Sequence, residues 1–290
     1  MTLLDRLPPG SRICLIRLRS LGDCVLTTPA LSLLKSHRPD LKISVIVEPR
    51  FAAVFDGNPC VDETREALTR SELMLNLHGG TRSMVLTALS RARFRAGFAH
   101  HRYSFLYSDK IPTAQEILGV DRPVHTAEHL ASAMFWMGVP RREIPRASLY
   151  AAPPQSRAPY AVIHPFASAP EKAWPVERFV EVARSLSLEP VFLAGPSDDL
   201  TPFKEFHTSR ESLATTKSLI SGASLFIGND SGPAHIAAAF GLPVVVLFGP
   251  SNPVTWAPWR TEAQVLTSPA MSGIAVRDVL DAVEALKVRV

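Results

Sequence analysis

The segment from residue 224 to residue 249 constrains the fold of this chain more than any other. Two short apolar runs, 224–227 and 243–248, enclose the polar sequence Gly228-Asn-Asp-Ser-Gly-Pro-Ala-His235. A continuous apolar run such as 243–248 is typical of a buried parallel strand. The pattern therefore predicts a strand, a polar turn, a short helix and a second strand.

The polar turn predicts a helix whose N-terminus can bind an anion. Asp230 or Ser231 can cap this helix, Pro233 is tolerated in its first turn, and Gly241 ends it. Ser231, Gly232 and the free N–H groups then point out of the carboxyl end of a sheet, where a helix N-terminus favours a phosphate. An ordinary strand–helix–strand crossover with a well-made cap is the alternative.

Strand and helix signals alternate along both halves of the chain, which is typical of α/β proteins with doubly wound parallel sheets. Besides the two above, strands are predicted at 12–18, 42–47, 73–77, 160–164, 190–194 and 263–266. Helices are predicted at 29–37, 84–90, 176–186, 212–221 and 275–286. A Pro-rich linker at 145–159 divides two domains, 1–155 and 156–290, with ligands expected in a cleft beyond the carboxyl ends of the strands.

The composition is that of a cytoplasmic globular protein. The apolar runs are too short for a membrane span, no signal peptide is evident, and the three cysteines lack metal or redox spacing. Lys and Arg outnumber the acids in residues 1–155, and residues 73–108 contain no acid at all. This block predicts a phosphorylated partner or an anionic membrane surface rather than nucleic acid, although a solvated basic helix face is equally compatible. Its basic residues and histidines are Arg82, Arg91, Arg93, Arg95 and Arg102 with His78, His100 and His101.

The first half offers one candidate for chemistry, the sequence Arg17-Leu-Arg-Ser-Leu-Gly-Asp23 after the first strand. Asp23 is either a helix cap or a carboxylate directed into the cleft, and the residues alone favour the cap. No dinucleotide or Walker motif is present. His125 and His129 share a helical spacing without an obvious third ligand, so they predict a helix N-terminus rather than a metal site.

The second half offers a loop, 164–175, at the same sheet edge as the polar turn. Ser168 provides a hydroxyl, and Lys172, which alone would be an ordinary surface lysine, provides a charge that can contact a diphosphate. His235 lies in the first turn of the predicted helix. It either contacts a ligand as a neutral imidazole or packs in the core.

Three motifs together resemble glycosyltransferase family 9, the ADP-heptose:lipopolysaccharide heptosyltransferases. They are Arg19-Ser-Leu-Gly-Asp23 with Thr28-Pro-Ala-Leu31, then Glu171-Lys-Ala-Trp-Pro175, and then Gly228-Asn-Asp-Ser-Gly-Pro-Ala-His235 with Leu247-Phe-Gly-Pro250. Weaker matches at 77–82 and 95–98 extend the resemblance along nearly the whole chain.

The resemblance implies a GT-B fold of two Rossmann-like domains facing a central cleft, with the acceptor bound by residues 1–155 and the donor by residues 156–290. It implies inverting transfer, without metal or cofactor, from a nucleotide diphosphate sugar such as ADP-heptose to a lipopolysaccharide core or related glycolipid. It makes Asp23 the general base, Lys172 a contact of the donor phosphates and Asp230 a contact of the donor sugar. The phosphate-binding turn then consists of Ser231, Gly232 and His235.

Other assignments follow less directly from the resemblance. The acid that holds the donor ribose is expected at Asp198 or Asp199, in the loop after the strand at 190–194. Peripheral contact with the inner membrane is expected at the acceptor side. The alternatives are a GT-B nucleotide-sugar epimerase and a non-catalytic sugar-nucleotide-binding protein. Candidate contacts of a phosphorylated or lipid-linked acceptor are Arg17, Arg19, Arg82 and Arg102.

Overall fold

A six-stranded parallel sheet forms the centre of each half of the chain in the computed structural model, which describes residues 1–152, 158–286 and 288. The two compact units are Met1–Ser148 and Leu149–Val290. The predicted domain boundary between 155 and 156 lies outside the described residues.

The first unit has the strand order β3-β2-β1-β4-β5-β6. Its strands are β1 (Arg12–Ile16), β2 (Lys42–Ile46), β3 (Glu63–Arg65), β4 (Leu73–Asn76), β5 (Phe94–Phe98) and β6 (Asp109–Ile111). Its α-helices are α1 (Leu21–His37), α2 (Pro49–Ala52), α3 (Thr81–Leu89), α4 (Ala114–Leu118) and α5 (Thr126–Met137).

The second unit has the strand order β12-β11-β10-β7-β8-β9. Its strands are β7 (Tyr160–His164), β8 (Glu189–Leu193), β9 (His207–Ser209), β10 (Leu225–Asn229), β11 (Val244–Phe248) and β12 (Ala263–Thr267). Its α-helices are α6 (Val176–Ser185), α7 (Leu213–Ser221), α8 (Gly232–Phe240), α9 (Pro253–Trp256) and α10 (Val276–Ala285).

Both units have the same topology, because the order of the second sheet, counted from its own first strand, repeats that of the first. The expected α/β architecture of doubly wound parallel sheets is therefore confirmed. In each sheet the direction of winding reverses between the first and fourth strands, β1 and β4 or β7 and β10. Ligands of such sheets bind at this reversal, beyond the carboxyl ends of the strands.

The central strands are buried along almost their whole length, as the apolar runs predicted. Every residue of β4, β7, β10 and β11 is buried. In the second unit Trp174, Phe179 and Phe192 belong to a core that fills the space between the sheet and its helices. The core fixes the strand ends, and these ends carry the polar residues of interest.

Helix α1 begins at Leu21, whereas the sequence predicted a start at Pro29. Proline usually marks a helix start because it lacks an N–H donor, and this cue was misleading here. Pro29 lies inside α1, and the hydroxyl of Thr28 donates to the carbonyl of Val25 at 2.8 Å, the oxygen that an N–H at position 29 would have bound. The helix tolerates the proline because that carbonyl keeps a partner.

The sequence missed the short edge strands β3, β6 and β9, which have only three residues each and little apolar character. It also missed β5, which contains Arg95 and Gly97, and the small helices α2, α4 and α9. The helix start predicted near His125 is confirmed, since His125 caps α5 by accepting from the N–H of Ala127. None of the described helices is long and apolar enough to cross a membrane.

Candidate functional site

The N-terminus of α8 lies at the carboxyl end of β10 and has no side-chain cap. Ser231 occupies the N-cap position, but its hydroxyl is 3.1 Å from Nδ1 of His164. No acid occurs in the first turn. The expectation that Asp230 or Ser231 caps this helix through its side chain is therefore wrong. The backbone donors of the turn remain directed at the sheet edge, where an anion is stabilised.

Lys172 and Asp230 lie together beside this helix end. Lys172 ends a 3₁₀-turn, Pro170–Lys172, after β7, and its Nζ is 3.6 Å from Oδ2 of Asp230. The side chain of Asp230 is 11% exposed and that of Lys172 is 32% exposed. The structure thus brings together two of the residues that the sequence assigned to a nucleotide-sugar donor.

Asn229 explains why these two side chains meet. It is the last residue of β10 and fully buried. Its Oδ1 accepts from the N–H of Trp174 at 3.1 Å, and its Nδ2 donates to the carbonyl of Pro165 at 2.8 Å. Both ends of the loop that carries Lys172 are therefore tied to the strand that precedes Asp230. Sequence reasoning gave Asn229 no role, although its place between a strand and the polar turn was visible.

His164, the last residue of β7, was also missed. It is buried beside Ser231, and burial lowers the pKa of its imidazole to about 4, with a smaller opposing effect from Asp198. The neutral ring positions the hydroxyl of Ser231. His235 is buried one turn into α8, with its ring 6.4 Å from that of Trp256, centroid to centroid.

The remaining predicted residues of the second unit lie in loops. Ser168 is exposed in the loop that follows β7. Asp198 accepts from the N–H of Gly195 at 2.7 Å and lies near enough to affect His164. Asp199 is exposed, and its carboxylate accepts from the N–H of Thr201 at 2.9 Å.

In the first unit, the carboxylate of Asp23 is held from two sides. Asp23 lies in the first turn of α1, where its Oδ2 accepts from the hydroxyl of Ser20 at 3.0 Å and from the N–H of Ser20 at 3.3 Å. Its Oδ1 is 2.6 Å from Nη2 of Arg17. Asp23 thus closes the helix end, as the residues alone predicted, and also presents a fixed carboxylate 21% exposed to solvent.

Arg17 is buried, and its Nη1 donates to the carbonyl of Leu77, the residue after β4, at 2.6 Å. The guanidinium therefore links the ends of β1 and β4 and orients Asp23. This placement suits a partner of the carboxylate rather than the direct acceptor contact expected for Arg17.

The other arginines expected to contact an acceptor are exposed. Arg19 follows β1, Arg82 lies in the first turn of α3 at 3.6 Å from Glu48, and Arg102 lies over the ring of Tyr103 at 5.4 Å. The described residues contain no group of three or more His, Cys, Asp or Glu side chains arranged to hold a metal ion.

Comparison with known proteins gives a consistent result. Residues 63–280 match the model of glycosyltransferase family 9 (heptosyltransferase). The lipopolysaccharide heptosyltransferase 3 of Escherichia coli is 28% identical over 291 residues, covering 82% of this chain and 83% of the relative. Asp23 lies outside the residues that the family model matches.

Solved structures share the fold across both units. A family 9 glycosyltransferase from Veillonella parvula superimposes with a TM-score of 0.82 at 22% identity, covering 95% of this chain and 96% of that one. The heptosyltransferase WaaC of E. coli, solved with ADP, gives a TM-score of 0.80 at 18% identity, covering 94% of this chain and 99% of that one. The expected GT-B fold is therefore confirmed.

Proposed function

The chain belongs to glycosyltransferase family 9, and from this membership we propose that it transfers a heptose from ADP-heptose to the core of a lipopolysaccharide. The observation that carries the proposal is the pairing of Lys172 with Asp230 beside the uncapped N-terminus of α8. The relative from E. coli is named for lipopolysaccharide heptose transfer, and WaaC was solved with ADP.

The second unit holds the donor in this proposal. The diphosphate binds the backbone donors at Ser231 and Gly232, and the ammonium group of Lys172 neutralises part of its charge. His235, in the first turn of α8, belongs to the same donor-binding turn. Asp230 accepts hydrogen bonds from the donor sugar, and Ser168 adds a hydroxyl from the neighbouring loop.

Asp198 is the better candidate for the ribose hydroxyls. Its influence on the pKa of His164 places it near the end of β7, whereas Asp199 is exposed and is not among the charges that act on this ring. We therefore assign the ribose contact to Asp198.

The first unit supplies the base. The acceptor oxygen bonds to the anomeric carbon on the face opposite the diphosphate, and the bond from that carbon to the diphosphate oxygen breaks with its electron pair. The hydroxyl proton passes to Asp23. A single displacement inverts the anomeric centre. Although Arg17 and Ser20 contact the carboxylate, an ionised carboxylate has about four lone-pair sites, so it can still accept this proton.

Transfer then proceeds without a metal ion or a cofactor. The leaving diphosphate gains negative charge as the bond breaks, and a cation or a set of aligned dipoles must stabilise it. Lys172 and the N-terminus of α8 provide a positive charge and a partial positive charge at one place.

The acceptor side of the proposal includes peripheral contact with the inner face of the cytoplasmic membrane. Val85 and Leu89 lie on the outer face of α3 and are 52% and 63% exposed, and Phe105, in a segment that packs against α3, is 72% exposed. These apolar side chains lie in the acid-free stretch with Arg82 and Arg102, a combination that favours an anionic lipid surface. The test is cosedimentation with phosphatidylglycerol vesicles. If Leu89→Ser cosediments as well as the unchanged protein, this face of α3 does not contact the membrane.

The central experiment incubates the purified protein with ADP-heptose and heptose-deficient lipopolysaccharide, and measures ADP release and the mass of the glycolipid. We expect a mass increase of one heptose, and UDP-glucose should not replace ADP-heptose. If the protein epimerises the donor in the absence of acceptor, the epimerase alternative is favoured. If it binds ADP-heptose but transfers nothing, the non-catalytic alternative is favoured.

The donor site is tested separately by the affinity for ADP. Lys172→Met should weaken ADP binding about 10- to 100-fold, because a charge-assisted hydrogen bond contributes about 1.5–3 kcal/mol. Lys204→Met, a change elsewhere in the same unit, is the control. An unchanged dissociation constant in Lys172→Met, measured by calorimetry, would contradict the assignment of Lys172.

A further inference from the structure

Four histidines of the first unit form a cluster that the proposed transfer does not use. His78 follows β4, His100 and His101 follow β5, and His129 lies in α5. The ring centroids of His100 and His101 are 5.0 Å apart, and those of His100 and His129 are 5.6 Å apart. His129 stacks on Phe98 with 4.0 Å between centroids and 22° between planes.

The cluster is held in place by packing. Nδ1 of His101 is 2.7 Å from the hydroxyl of Tyr107. The ring of His101 also lies directly against Gly79, where a Cβ atom would approach it to 2.6 Å. Gly79 has a φ of +75°, which glycine adopts without strain. The loop that carries His78 is therefore packed against His101, so the cluster is a preformed surface.

This surface lies near the Arg17–Asp23 pair. The pKa of His101 and of His129 is lowered to about 4, mainly by burial, with smaller contributions from the neighbouring histidines and from the charge of Arg17. Burial and Arg17 also lower the pKa of His78, while the carboxylate of Asp23 raises it. The geometry agrees, because Arg17, the partner of Asp23, also donates to the carbonyl of Leu77, the residue directly before His78. All these rings are neutral at pH 7.

A neutral imidazole has one hydrogen-bond donor and one acceptor, and its faces stack on flat or apolar groups. Sugar hydroxyls donate and accept in the same way, whereas a phosphate is bound by cations and N–H donors. His100 is exposed, and Nδ1 of His78 is buried without a hydrogen-bond partner among the described residues.

We propose that the cluster of His78, His100, His101 and His129 binds an uncharged pyranose ring of the acceptor through its hydroxyls, next to Asp23. This inference rests on the proposed function, because it takes Asp23 as the base that receives the acceptor proton. Phosphates of the acceptor then lie at the exposed arginines and not at the histidines. The specificity of the enzyme for the accepting sugar is set by this cluster.

Saturation-transfer NMR with a methyl heptopyranoside tests the proposal without any transfer reaction. The unchanged protein should saturate the ring protons of the heptoside. His100→Ala should weaken heptoside binding about 2- to 10-fold, because a neutral hydrogen bond contributes about 0.5–1.5 kcal/mol. His100→Gln, which keeps a donor and an acceptor, should retain most of it. His37→Ala changes an exposed histidine at the end of α1 and should have no effect.

Inorganic phosphate is the competing probe. Displacement of the heptoside by millimolar phosphate, absence of saturation in the unchanged protein, or equal binding by His100→Ala would each overturn the proposal. In the transfer assay His100→Ala should raise the KM for the lipopolysaccharide and leave the affinity for ADP unchanged. If the unchanged protein binds the heptoside through the cluster but transfers nothing, the proposed function fails while the binding surface remains.

Discussion

The two units have the same strand order, and in both the fourth strand ends in a buried asparagine, Asn76 in β4 and Asn229 in β10. Their hydrogen bonds differ. Asn76 binds its own loop and helix: Oδ1 accepts from the N–H groups of His78 and Gly79 at 3.0 Å, and Nδ2 donates to the hydroxyl of Thr87 at 3.0 Å. Asn229 instead binds the loop that follows β7.

This difference shows how one topology produces two sites. In the first unit, Arg17 already links β1 to β4, so Asn76 is free to fix the turn before α3. In the second unit no arginine occupies that position, and Asn229 connects the two strand ends while bringing Lys172 to Asp230. The first unit thereby presents a fixed carboxylate among neutral imidazoles. The second presents a cation beside a helix N-terminus.

The largest expected effect tests the carboxylate. Asp23→Asn keeps the size of the side chain but removes the proposed proton acceptor, so kcat should fall about 10²- to 10⁴-fold. The affinity for ADP should not change, because the residues proposed to bind the donor belong to the other unit. Steady-state kinetics and ADP calorimetry on one preparation provide both values. Retained turnover would show that Asp23 is only part of the helix cap.

The second prediction compares the two asparagines directly. Asn229→Ala and Asn76→Ala each leave buried polar groups without partners, which costs about 1–3 kcal/mol of stability, so both should lower the melting temperature. Only Asn229→Ala releases the loop that holds Lys172, and it should weaken ADP binding about 3- to 30-fold. The two variants are matched in burial and position. Equal loss of ADP affinity in both would mean that Asn229 acts only through stability.

Much of the fold and several of the site residues could be predicted from the amino-acid sequence alone. The apolar runs located β10 and β11 to within two residues, and the polar turn located the helix between them. Asp23 and Lys172 were found because each closely follows a predicted strand. These signals are local, since burial and turn chemistry depend on neighbours in sequence.

The partners of those residues could not be predicted in the same way. The histidine cluster requires that β5 lie beside β4 and that α5 return to the same edge, and neither element was predicted over its length. The burial of Arg17 depends on the carbonyl of Leu77, which is distant in sequence. The local sequence predicted that the hydroxyl of Ser231 caps α8. That hydroxyl instead contacts His164, which lies next to it only because β7 pairs with β10.

The smallest expected effect is a pH dependence of stability that His164 contributes to the second unit. Burial lowers the pKa of this imidazole from 6.5 to about 4 in the folded protein. Between these values the unfolded chain binds more protons than the folded one, so the free energy of unfolding decreases as the pH falls from 6.5 towards 4. Above pH 6.5 the imidazole of His164 is mostly neutral in both states, so it costs little stability there. From pH 7 to 5.5 the loss amounts to about 1 kcal/mol.

His164→Asn removes the titrating ring but keeps an amide near Ser231, so its melting temperature should fall less between pH 7 and 5.5 than that of the unchanged protein. The difference should be about 2–4 °C, the shift expected per kcal/mol for proteins of 150–250 residues. His101 and His129 lower the stability of the first unit in the same pH range, since their pKa values also lie near 4. A residual slope in His164→Asn is therefore expected. A slope identical to that of the unchanged protein would show that folding does not lower the pKa of His164, and a ring that stays neutral beside Ser231 down to pH 4 would have to be abandoned.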